Sequence, residues 1–173
     1  MEEKICCFTG HRTVDPAERE ALTALLDKHL AELAEAGYTE FRTGGALGFD
    51  TLAAERVLAL CEKYPACRLH LILPCRDQDK RWSARDRAVY ADILSRAHRV
   101  TVLRERYSPD CMHARNRALV DGSDLCLAYL LENRGGTLYT CAYALKHGVP
   151  FYNLADSVGR AVPAPDRSKK VRT

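Results

Sequence analysis

The sequence predicts a doubly wound α/β domain built on a mostly parallel sheet. Three observations carry this. Short apolar runs of strand character alternate with segments of helical periodicity along nearly the whole chain. The 173 residues fit one domain of ordinary size. A content of 47% hydrophobic and 28% charged residues supplies a core inside a polar surface.

Ile5-Cys6-Cys7-Phe8 reads as a short buried strand. Asp15-Pro16-Ala17-Glu18 has the chemistry of a helix start, with Asp15 at the N-cap, Pro16 first in the helix and Glu18 at the reciprocal capping position. Leu22, Leu25, Leu26, Leu30 and Leu33 then recur at helical spacing, and Gly37 supplies the stop. Tyr38–Thr43 alternates as a strand, and residues 47–62 are helical and apolar on more than one face. Residues 69–73 form the third strand, followed by a polar loop at 76–80, a helix at 84–97 and a fourth strand at 100–103. A helix over 110–120 follows Pro109, and residues 125–130 are the strongest buried strand. Gly135-Gly136-Thr137 opens a helix that ends near Gly148, and residues 150–153 make the last strand. The reading is one domain over residues 1–155 and a basic, flexible tail over 156–173 containing Pro163 and Pro165.

The net charge is +3, and the tail carries all of it. A neutral body argues against a broad nucleic-acid face, so nucleic acid is expected to be an unlikely partner. Arg76, Lys80, Arg81, Arg85 and Arg87 make a local basic patch, reduced by Asp77, Asp79 and Asp86. No charge-free apolar run approaches the ~18 residues a membrane helix needs, so no membrane partner is expected. Met1-Glu2-Glu3-Lys4 runs straight into a strand, which is neither a secretion signal nor a transit peptide, and the expected location is cytoplasmic. A homo-oligomer is left open.

The eight cysteines never form C-x-x-C, so metal ribbons and thioredoxin-like motifs lack their signature and no metal site is expected. Most read as small buried hydrophobes, with Cys6 and Cys7 on opposite faces of a strand. Cys75 and Cys111 fall in expected loops and are the candidate reactive thiols.

In doubly wound sheets ligands bind beyond the carboxyl ends of the strands, near the switch in strand order. Three glycine-bearing loops follow strands here: Thr9-Gly10-His11-Arg12, Thr43-Gly44-Gly45-Ala46-Leu47-Gly48-Phe49-Asp50, and Glu132-Asn133-Arg134-Gly135-Gly136-Thr137. Glycine lets backbone approach a ligand, and the helix start beyond it offers free N–H groups, which together suit phosphate. Neither G-x-G-x-x-G nor a Walker A loop is present, so an ordinary NAD enzyme or P-loop ATPase is disfavoured and no cofactor is expected. Asp50, just inside a helix start, either is favoured there by the helix dipole or serves as an acceptor for a ribose hydroxyl or base nitrogen, and it is the candidate catalytic carboxylate. Trp82, the only tryptophan, is either a loop anchor or a stacking platform for a base. Arg115-Asn116-Arg117 reads as a solvated charged face, unless Asn116 turns inward to a polar ligand edge. Gly45→Val is expected to abolish ligand binding more than it harms folding.

Taken together, Cys7-Phe8-Thr9-Gly10-His11-Arg12, the Thr43 to Asp50 loop with Ala53-Ala54-Glu55, Lys80-Arg81-Trp82-Ser83, Arg115-Asn116 with Val120-Asp121, and Gly135-Gly136-Thr137 resemble YpsA-like proteins of the SLOG superfamily. The match runs in order from about Lys4 to Asn153. The resemblance implies a Rossmann-like fold related to cytokinin-activating LOG enzymes and to the DNA-processing protein DprA. It implies a nucleotide or nucleotide-derived ligand, sensed or processed, held by Thr9, Gly10, His11, Arg12, Gly44, Gly45, Gly48, Asp50, Gly135, Gly136 and Thr137. LOG phosphoribohydrolases carry P-G-G-x-G-T-x-x-E, and here Thr140 stands in the place of the Glu. A hydroxyl cannot stabilise a developing oxocarbenium charge as a carboxylate does. The reading is therefore binding or sensing of a nucleotide-like small molecule. A nucleotide-processing hydrolase that cleaves an N-glycosidic or phosphate bond is the alternative, followed by a DprA-like single-stranded DNA binder.

Overall fold

The computed structural model describes residues 2–158, so the tail expected from residue 156 lies almost entirely outside the described residues. Six strands, β1 (Lys4–Gly10), β2 (Tyr38–Thr43), β3 (Arg68–Leu73), β4 (Arg99–Val102), β5 (Leu125–Tyr129) and β6 (Phe151–Asn153), form one sheet. All its pairings are parallel, and the order is β4-β3-β2-β1-β5-β6. The chain winds outward from β1 to β4 and then returns to lay β5 on the other side of β1. The switch in strand order therefore falls between β1 and β5. This is the doubly wound arrangement that the alternation of runs predicts and the Rossmann-like fold that the resemblance implies.

Five helices cover the sheet: α1 (Arg19–Glu35), α2 (Phe49–Lys63), α3 (Ala84–Arg96), α4 (Cys111–Val120) and α5 (Gly135–Lys146). Strand alternation sorts β1 between the two faces. Cys6 and Phe8 join the larger core with Leu22, Leu26 and Leu30 of α1, Phe49 and Val57 of α2, and Ile93 of α3. Cys7 points the other way, to Leu119 and Val120 of α4 and Ala144 of α5. A one-residue slip of β1 would exchange these sets, so burial on both sides fixes its register.

Three expectations need correction. Helix α1 begins at Arg19 rather than at Asp15. Asp15 instead closes a turn before it: its carboxylate accepts from the Ala17 N–H at 2.9 Å and its carbonyl from the Glu18 N–H at 2.9 Å. The Glu18 carboxylate meets the Tyr129 hydroxyl, so it does not cap the helix. Helix α2 begins at Phe49, because Gly48 at φ +76° lies outside helical space. Cys75 and Cys111 are not exposed thiols. They are 1% and 0% accessible, and burial, aided by Asp77, pushes the Cys75 thiol up to about 12. A thiol held protonated is a poor nucleophile. Among the described residues no helix is long and apolar enough to cross a membrane.

Candidate functional site

A cavity of about 390 Å³ opens at the carboxyl end of β1. Its walls are the loop after β1, the first turn of α2, the inner face of α4 and the first turn of α5. Thr9 and Gly10 at the end of β1 and His11 and Arg12 just after it line it. This loop crosses the start of α2 at very close range. A Cβ on Gly48 would lie 2.3 Å from the Arg12 carbonyl, and one on Gly10 would lie 2.3 Å from the Phe49 ring. The His11 carbonyl accepts from the Phe49 N–H at 3.0 Å and locks the crossing.

His11 accepts from the Leu131 N–H through Nε2 at 2.7 Å, which ties the β1 loop to the β5 loop. That bond requires a neutral ring with its proton on Nδ1. Burial holds the His11 pKa below its ordinary value, with Glu132 opposing. Arg12 is exposed at the cavity mouth and has no ion pair or hydrogen bond among the described residues.

Asp50, in the first turn of α2, is 5% accessible and is one of the residues that line the cavity. Its Oδ2 accepts from the Ala46 N–H at 3.2 Å. Burial raises its pKa, opposed by Arg115, the Ala46 N–H, Arg12 and the Gly44 N–H.

Helix α4 brings in a residue that the sequence reading left on a solvated face. Arg115 is 6% accessible. It donates from Nη1 to the Gly44 carbonyl at 2.7 Å and from Nε to Asn116 Oδ1 at 2.9 Å. The missed signal is the spacing of Cys111, Arg115 and Leu119, one buried stripe at four-residue intervals. Because Asn116 Oδ1 takes the Arg115 N–H, the Asn116 amide nitrogen is the free end. It lies 3.6 Å from where a Cβ on Gly136 would stand, inside the cavity wall. Asn116 is 8% accessible, and its Nδ2 has no hydrogen-bond partner among the described residues.

Helix α5 starts at this point. Its first turn, Gly135, Gly136 and Thr137, has no side-chain cap, and Gly136 and Thr137 line the cavity. Thr140, in the place of the LOG glutamate, is fully buried and donates to the Gly136 carbonyl at 2.9 Å. Its hydroxyl is turned back on its own helix.

The structure does not bring every expected residue to this cavity. Gly44, Gly45 and Gly135 lie outside its lining, and Gly48 acts through its crossing with Arg12. A Cβ on Gly44 would fall 2.3 Å from Arg115 Nη1, and one on Gly45, at φ +67°, would fall 2.9 Å from Leu73. These glycines admit protein groups. Gly45→Val therefore strikes the core, contrary to the expectation that folding would be spared. Trp82 lies in an adjoining cavity of about 600 Å³ that shares Arg12 and Met112 with the first.

A parallel sheet of this order with a polar cavity at its switch point defines a Rossmann-like α/β domain. The model of the YspA SLOG family matches residues 6–150, and the chain belongs to that family. A UPF0398 protein of Bacillus pumilus is 32% identical, over 79% of this chain and 78% of its own. An uncharacterized SPbeta prophage-derived protein of Bacillus subtilis, YoqJ, is also 32% identical, over 70% of this chain and 81% of its own. In structure the chain is similar to DNA processing protein A of Helicobacter pylori, with a TM-score of 0.61 and 22% identity, covering 86% of this chain but 63% of that one. It is also similar to the molybdenum cofactor binding protein of Rippkaea orientalis, with a TM-score of 0.55 and 22% identity, covering 87% of this chain and 76% of that one.

These likenesses correct the view that nucleic acid is an unlikely partner. The Helicobacter protein, which shares this fold, is described by its single-stranded DNA binding mode. The physical error lies in the averaging. A net charge sums over the whole surface, whereas binding needs cations at one edge. Arg12, Lys80 and Arg81 line the two adjoining cavities here.

Proposed function

We propose that this protein binds a phosphate-bearing, nucleotide-like ligand at the carboxyl edge of its sheet and holds it without turnover. The observation that carries the reading is the Asn116 amide nitrogen, a donor on the cavity wall with no hydrogen-bond partner among the described residues, beside the uncapped first turn of α5. A donor held open on a cavity wall by its own oxygen's bond to Arg115 is oriented for an acceptor, and a phosphate oxygen is one. The N–H groups of the first turn and the helix dipole favour the same anion. Arg12 adds a cation at the mouth, and Asp50 offers an acceptor for a ribose hydroxyl. Membership of the SLOG family supports a nucleotide-related role.

The second reading, a hydrolase, rests on Asp50. A buried carboxyl with a raised pKa in a cavity is a candidate general acid. Against it, Thr140 is withdrawn from the cavity and no second lining residue is a carboxylate. A panel of nucleoside monophosphates separates the two when thermal shift and mass spectrometry are read on the same samples. Stabilisation with the ligand recovered intact is the expected result. Release of free base, lost in Asp50→Asn with folding preserved, would establish the hydrolase instead. An oligonucleotide arm at low and high salt tests single-stranded DNA as the carrier of the phosphate.

A further inference from the structure

The second cavity is built as well as the first, and the anion site does not account for it. Its floor and walls come from the loop between β3 and α3 and the loop between β4 and α4. These loops are clipped together: Arg76 makes two bonds to Glu105 at 2.9 and 3.1 Å, and the Tyr107 N–H donates to Asp77 at 3.1 Å. The Arg76 N–H also donates to the Arg104 carbonyl at 3.0 Å. The charged groups divide into two sets. Arg76 and Arg87 are paired, with Glu105 and Asp79. Lys80, Arg81 and Arg12, which line the cavity, have no ion pair among the described residues.

Two aromatic rings face this space. Trp82 is half-buried and meets Tyr90 in an edge contact at 5.1 Å. Tyr107 is 63% accessible although its backbone is pinned. A large ring on a pinned backbone, left uncovered next to unpaired cations, suits a flat group carrying or adjoining negative charge. Arg12 and Met112 belong to both cavities, so one molecule can extend across them.

We infer that the ligand is two-ended: a nucleotide in the first cavity, joined through phosphate over Arg12 to a second ring-bearing nucleoside in the cavity of Trp82 and Tyr107. This rests on the phosphate reading above and adds the class of molecule. The shared chemistry fits a pyrophosphate-bridged dinucleoside or a phosphodiester-linked dinucleotide.

Trp82 is the only tryptophan, so its emission reports on the second cavity alone. The full chain is titrated with adenosine monophosphate, with diadenosine diphosphate and with the dinucleotide adenylyl-adenosine, following heat and tryptophan emission together. The two-ended probe that fits is expected to bind about tenfold or more tighter than the monophosphate and to change the emission, whereas the monophosphate leaves it nearly unchanged. Tyr107→Ala, at an exposed site where folding is safe, should return that probe to monophosphate affinity and leave the monophosphate itself unaffected. Trp82→Leu should do the same, with its folding checked by thermal melting. Equal affinity for all three, with silent emission, overturns the inference and leaves the phosphate reading standing. Failure of all three to bind overturns both. Preference between the two bridged probes identifies the source of the linkage.

Discussion

The loop after β2 carries Gly44, Gly45 and Gly48, and the loop after β5 carries Gly135 and Gly136. In sequence both read as cradles that open a helix. In the first, each glycine is closed over by the protein: Arg115 sits against Gly44, Leu73 and Tyr90 against Gly45, and the Arg12 backbone against Gly48. In the second, a Cβ on Gly135 would meet nothing within 4 Å, and one on Gly136 would meet only the Asn116 amide at 3.6 Å. A glycine marks a place where backbone must be approached. It does not say whether the approaching group is a ligand or the protein's own chain.

The largest effect is expected in the closed loop. Gly48→Ala forces a side chain into positive φ and against the Arg12 carbonyl, and should cost about 3 kcal/mol by urea denaturation. An unchanged midpoint would show that the crossing is loose. Arg115→Met comes next. It removes a buried guanidinium that bonds the Gly44 carbonyl and orients Asn116, and about 2 kcal/mol should be lost together with ligand affinity. If binding survives at full strength, Asn116 is held by other means.

Smaller effects appear as pH dependence. The His11 pKa is lowered on folding, so its contribution is complete above the ordinary value of about 6.5 and is lost as pH falls through the lowered one. Melting temperatures of His11→Gln should be flatter across that window than those of the parent chain. Asp50 has the opposite sense. Its raised pKa means that stability drops as pH rises from the ordinary carboxylate value through the raised one. Asp50→Asn should remove that drop, and a parallel melting profile would argue against a buried carboxylate. The smallest change in stability belongs to the open loop. Gly136→Ala should leave stability within about 0.5 kcal/mol, yet weaken phosphate binding about tenfold by crowding Asn116 and the helix start.

The fold was readable because burial on both faces of a parallel sheet writes itself as apolar runs, and helices between them keep a different period. Thr9 to Arg12, Asp50 and the opening of α5 share one cavity, and a single topological rule, that ligands meet the carboxyl edge at the switch point, is what singles them out in the sequence. Arg115 was hidden by Arg117, which made the pair look like a solvated run, although the Cys111, Arg115, Leu119 stripe held the clue. The closed glycines and the second cavity depend on contacts between loops far apart in sequence, such as Arg115 with Gly44 and Asp77 with Tyr107. No local pattern encodes those meetings.

The central claim is that the open glycine loop and Asn116 hold the anion. Amide NMR of the full chain titrated with adenosine monophosphate tests it directly. The N–H signals of Gly135, Gly136 and Thr137 and the side-chain amide of Asn116 should move together with one dissociation constant, while those of Gly44 and Gly45 move little. Binding that shifts Gly44 and Gly45 and leaves the start of α5 and Asn116 unmoved would contradict the account.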